Sequence, residues 1–206
     1  MTINRYKITI YKIIFFCFTL FIFSICNARA EDNNNKYKLS VEYNYFYFMP
    51  SSYNLYGLNF EIFITNSISL NYSAYLGVSN DKVTVHTDAG IAAAILLAAN
   101  ELENNDDNED YSYDGLAYTA FFLSLIPEGI NFYIPSSDER LTLIPFINPL
   151  GFEYFNKEYT LTSSLGIKVQ YELNPNLFIF PKTELRYLYK ENKLSYILGL
   201  GLGFKL

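Results

Sequence analysis

Thiols are all but absent from this chain. Its two cysteines, Cys17 and Cys26, both fall in an N-terminal segment expected to be removed, so disulfides, thiolate catalysis and Cys-ligated metals are excluded from the mature protein. Positive charge is also scarce. There are 15 basic residues against 21 acidic ones, and Arg5, Lys7, Lys12 and Arg29 lie in that same segment, leaving 11 basic residues in the mature chain. Nucleic-acid binding therefore has no electrostatic basis. Nor does any stretch after Ala30 reach the roughly 20 apolar residues of a membrane-spanning helix.

The N-terminal segment reads as a secretory signal peptide. Early basic residues precede an apolar run from Ile13 to Cys26, and the small-residue site Ala28-Arg29-Ala30 follows, with cleavage expected after Ala30. Lipidation at Cys26 is the weaker reading, because Ile25 occupies a position where that processing wants Gly, Ala or Ser. Residues 31–206 then suit one domain. Their acidity is local: Glu101, Glu103, Asp106, Asp107, Glu109, Asp110 and Asp114 crowd one short stretch.

What the chain has in quantity is aromatic residues, with 20 Tyr and 18 Phe, which favour strands and, for Tyr, the level where membrane meets water. They are arranged with period two, as in strands whose successive side chains face opposite ways. At the C-terminus Leu194, Tyr196, Leu198, Leu200, Leu202, Phe204 and Leu206 share one face, and Ser195, Gly199, Gly201, Gly203 and Lys205 the other, broken only by Ile197. Thr183, Leu185, Tyr187 and Tyr189 likewise oppose Lys182, Glu184 and Arg186. Leu165, Ile167, Val169, Tyr171 and Leu173 oppose Gly166, Lys168, Gln170 and Glu172. Nearer the N-terminus, Tyr37 to Tyr47 alternate with Lys38, Ser40, Glu42 and Asn44. Tyr56 to Ile64 alternate with Gly57, Asn59 and Glu61, and Ile68 to Leu76 with Ser69, Asn71 and Ser73. Two shorter strands fit between Gly129 and Asn148, making eight. Short turns are expected at Thr65-Asn66, Ser136 to Glu139 and Asn174 to Asn176, alternating with more variable loops.

Residues 79–128 are too long for an ordinary loop. Asp88 to Leu102 is rich in Ala and Leu and predicts a helix, with Thr87 or Asp88 as N-cap. Tyr113 to Ile126 is apolar nearly all round and predicts a second helix, a ninth strand being the other reading. These apolar surfaces need cover, which capping of a barrel mouth, the outer leaflet or a partner would supply, with capping favoured.

The signal peptide, the eight one-sided strands and the ending Gly-Leu-Gly-Phe-Lys-Leu together resemble the small bacterial outer-membrane β-barrel proteins. The resemblance implies an all-β, closed antiparallel eight-stranded transmembrane barrel at residues 31–206, with a helical insertion between strands 3 and 4. It also implies location in the bacterial outer membrane, contact with outer-membrane lipid, and delivery by barrel-insertion machinery that reads an aromatic at the last strand, here represented by Phe204. A surface or periplasmic protein partner is a further expectation. A soluble ligand-carrying barrel, apolar faces inward, is the rival built from the same alternation.

In the membrane reading Glu42, Glu61, Lys168, Glu172, Lys182, Glu184 and Arg186 face the lumen as a polar network, either a satisfied plug or a narrow ion path. His86, the only histidine, invites comparison with lipid-modifying barrel enzymes, but a lone loop histidine reads more simply as polar surface. The acidic run lacks the D-x-D-x-D-G spacing of a calcium loop. No cofactor and no catalysis are expected. The expected role is structural or surface-interacting, with a narrow channel gated by the insertion as the second reading and a lipid-modifying enzyme as the third.

Overall fold

The computed structural model describes residues 36–48, 51–79, 82–88, 90–93, 119, 122–155 and 158–206; the expected signal peptide lies outside them. Ten strands follow in chain order: β1 (Tyr37–Phe48), β2 (Ser51–Thr65), β3 (Ile68–Ser79), β4 (Lys82–Asp88), β5 (Gly129–Phe132), β6 (Ile134–Pro135), β7 (Leu141–Phe155), β8 (Glu158–Asn174), β9 (Leu177–Leu188) and β10 (Lys193–Lys205). All pairings are antiparallel.

The sheet closes. From β1 the wall runs through β10, β9 and β8 to β7 in one direction and through β2 to β3 in the other. The gap between β3 and β7 is filled by β4, β5 and β6 in line, since β4 and β5 each pair with both neighbours and β6 extends the row along β7. Ten strands thus occupy eight wall positions, as the alternation predicted. Among the described residues each of the eight wall positions pairs with a neighbour on both sides, the closure that a lipid surround demands.

The insertion departs from expectation in its place. It does not lie between strands 3 and 4 but splits the fourth wall strand, whose first half, Lys82–Asp88, falls within the stretch 79–128 expected to be insertion. The register shows how tight the split is. Along β3, Thr87 faces Ala74 and Gly129 faces Asn71, so Asp88 and Glu128 fall at consecutive positions and the 39 residues between them are an excursion from an otherwise unbroken row. Opposite the split, β7 shifts register between Asn148 and Gly151, a bulge that absorbs the irregularity.

Every other connection between described strands is short: residues 49–50, 66–67, 80–81, 136–140, 156–157, 175–176 and 189–192. The expected contrast between short turns and longer outer loops is therefore not found. Lys36 and Leu206 share one end of the barrel, where Leu206 N donates to the Tyr37 carbonyl.

Faces segregate as the period predicts. Val41, Leu198, Leu200 and Leu202 are 59%, 62%, 58% and 44% exposed, whereas Glu42, Lys182, Glu184 and Arg186 are buried. Greasy sides look out and charges look in, the reverse of a ligand-carrying soluble barrel. The small face of β10 has a steric cause: a Cβ on Gly201 would stand 2.2 Å from the Phe180 ring, and one on Gly203 2.3 Å from that of Phe178. These glycines make room for two inward rings. Gly201→Val is expected to destabilise the barrel by about 1–3 kcal/mol through overpacking, measured as a lower urea midpoint in lipid vesicles.

Candidate functional site

The chemistry of this chain is concentrated in the lumen, and strand alternation puts it there. Inward positions of β1, β2, β8 and β9 carry Glu42, Glu61, Lys168, Lys182, Glu184 and Arg186, all buried. They form one connected series. Lys168 Nζ lies 3.1 Å from Glu61 and 4.0 Å from Glu42; Lys182 Nζ lies 2.7 Å from Glu42 and 3.6 Å from Glu184. Arg186 donates from Nε and Nη2 to Glu184 Oε1 at 2.9 and 2.7 Å, and its Nη1 stands 3.3 Å from Glu153. Glu172 sits apart, half-buried at the terminal end, where it pairs with Lys205 and accepts from Gln170.

Four further members went unrecognised as part of the network. Lys38 donates to Gln170 at 2.7 Å and lies over the rings of Tyr133, Phe63 and Phe178, at 4.1, 5.1 and 5.1 Å from their centroids. Glu153 accepts from the Tyr53 hydroxyl at 2.8 Å. Glu128 accepts from Ser73 and, at 2.9 Å, faces His86 Nε2. His86 is thus not polar surface: it is fully buried on the inward face of β4, with Nδ1 3.9 Å from Glu153. Among the described residues five buried carboxylates (Glu42, Glu61, Glu128, Glu153, Glu184) share the lumen with four buried cations (Lys38, Lys168, Lys182, Arg186) and His86, and Asp88 is buried at the break in β4.

Both ends of the series are closed by apolar or aromatic side chains. At the end away from the termini Phe46, Tyr53, Leu55, Tyr75, Leu188 and Ile197 form one buried cluster, with Phe46 and Tyr53 stacked at 4.5 Å. Ile197, the exception on the small face of β10, belongs to this plug. At the other end Tyr133 and Phe178 sit around Lys38. Between them, a cavity of about 10 Å³, lined by Asn59, Asn148, Glu128 and Lys168 among others, is room for about one water. The Oδ1 atoms of Asn59 and Asn148 are buried without a hydrogen-bond partner.

Among the described residues the hydrogen-bond partner of the His86 imidazole is Glu128, not a hydroxyl. Ser73, the serine tied to its neighbour Glu128, donates to that carboxylate rather than to the imidazole. Among the described residues no group of three or more His, Asp or Glu side chains is arranged to hold a metal.

No family model and no curated protein matches this chain. Solved structures similar to it include the N-terminal β-barrel domain of Pseudomonas aeruginosa OprF, with 13% identity and a TM-score of 0.48 over 81% of this chain and 96% of that one. The attachment invasion locus protein Ail of Yersinia pestis is similar at 9% identity and a TM-score of 0.46, over 82% and 95%. Neisserial surface protein A is similar at 9% and 0.45, over 85% and 100%. The closed barrel is established by this chain's own strand register.

Proposed function

We propose that the mature chain is a sealed, non-enzymatic barrel of the bacterial outer membrane, with a structural or interaction role and no solute traffic through its lumen. One observation carries the reading: a connected series of paired charges crosses the interior, leaving a cavity of only about 10 Å³, and apolar or aromatic side chains close both its ends. Lipid contact and delivery by barrel-insertion machinery belong to the same proposal, supported by the apolar outward faces and by Phe204 on the outward side of the last strand. With connections this short, interaction with a protein partner falls to the excursion at residues 89–127.

A narrow ion path is the second reading, favoured by the unbroken succession of ionisable groups from Glu61 to Glu128. Planar-bilayer recording separates the two. The sealed barrel is expected to give no steady conductance above the bare membrane, and a steady conductance that changes on replacing Arg186 would establish the path instead.

A further inference from the structure

We infer that the two roots of the excursion, residues 90–93 and 122–126, leave the barrel sideways, at mid-height and on the lipid face, embedded among acyl chains. This rests on the membrane reading of the barrel. The exit is central: β4 gives seven residues on one side of it, and Gly129 to Pro135 seven on the other, about 23 Å of strand each at 3.3 Å per residue. With strands tilted some 35–45°, that places the exit near the middle of an apolar band about 25 Å tall.

The side of the wall is fixed by Tyr72. On β3 Ser69, Asn71, Ser73 and Tyr75 are buried in the lumen, so Tyr72 points outward, and its hydroxyl donates to the Leu125 carbonyl at 2.9 Å. Phe122, Leu125 and Ile126 are 65%, 50% and 44% exposed, which is inconsistent with a place inside a packed lumen. The two roots meet there: a Cβ on Gly90 would lie 2.1 Å from the Leu123 carbonyl oxygen. Phe60, outward by alternation, is only 5% exposed, covered by the rings of Tyr37 and Tyr72.

Four backbone polar groups at the exit have the partners that hydrocarbon requires. Asp88 Oδ1 caps Ile91 N at 2.7 Å, Ile126 N donates to Leu123 O at 3.0 Å, and Tyr72 takes up Leu125 O. An aqueous exit would need none of these, since water would serve. The occupant of the exposed Phe122, Leu125 and Ile126 surface is therefore lipid acyl chain.

The chain contains no tryptophan, so single substitutions give unmixed reporters. The mature chain carrying Phe122→Trp or Leu125→Trp, at exposed positions that take the larger ring, is folded into phosphatidylcholine vesicles brominated near the acyl ends. Leu200→Trp serves as a mid-wall reference and Ser137→Trp as a turn reference. Both excursion variants are expected to lose most of their emission to the bromolipid, as Leu200→Trp does, and to ignore aqueous iodide, which quenches Ser137→Trp. If Leu200→Trp is quenched by bromine but both excursion variants respond to iodide, the inference is overturned and the barrel reading stands. If they respond to neither quencher, protein such as a second copy covers them, and the lipid assignment is likewise overturned. Failure of bromine to quench Leu200→Trp would overturn the membrane barrel itself.

Discussion

Replacing Arg186 by Ala is expected to cost about 3–5 kcal/mol of stability, because it strips the shared cation from two buried carboxylates and leaves them uncompensated in a low-dielectric interior. Arg186 meets Glu184 through two donors and Glu153 through a third. Urea unfolding in lipid vesicles, followed by loss of the compact heat-modifiable band in detergent gels, measures the effect. Arg186→Lys retains the charge but not the fork, and is expected to fall between wild type and Ala. In the double variant Arg186→Ala/Glu184→Ala the loss should be smaller than the sum of the two single losses, since one unpaired charge leaves with the other. Additive losses would mean that the two groups do not act as a pair.

The second large effect concerns the other face. Leu200 lies near the middle of β10, 58% exposed, with Tyr43 and Pro181 beside it on the flanking strands. Leu200→Arg is expected to cost about 2–4 kcal/mol, the value for a cation on the lipid face at the bilayer midplane, while Leu194→Arg, near the rim, should cost about 0–1. The same vesicle unfolding measurement compares them. Equal and small effects at the two positions would place the outer face in water, where an exposed leucine is replaced at little cost.

The eight-position barrel was legible because each strand keeps two chemically distinct sides over ten or so residues, and the sequence β8–β9–β10 displays this almost without exception. Legibility failed where the two sides blur. In β4 only Val83 and Val85 mark the outward side, and Thr87 is polar, so the half-strand merged with the excursion behind it and His86 was left without its strand. The lumen plug was hidden for the opposite reason: Phe46 stands between Tyr45 and Tyr47, and an unbroken aromatic run has no visible period. Leu188 and Ile197 similarly look like lapses in a polar face until the closed end of the barrel brings them together.

Partners in the network divide along the same line. Residues on well-marked strands, such as Glu42, Lys168 and Arg186, could be placed facing the lumen from alternation alone. Glu128 follows Pro127 at the end of the excursion, where no strand period yet operates, and Glu153 lies in the stretch past the β7 bulge that the bulge had put out of step. Residue type leaves the N-cap between Thr87 and Asp88, and it is Asp88 that caps Ile91. That it also stands at the break in the wall required the pairing of β3 with both β4 and β5.

Because Asp88 and Glu128 occupy adjacent positions along β3, the ladder is indifferent to how much polypeptide separates them. Residues can be gained or lost between these two without moving any of the eight staves out of step, whereas one residue added to β8 would turn its remaining side chains inside out. The joint in the fourth stave is thus where this barrel can change length freely in evolution, and where a graft would disturb it least.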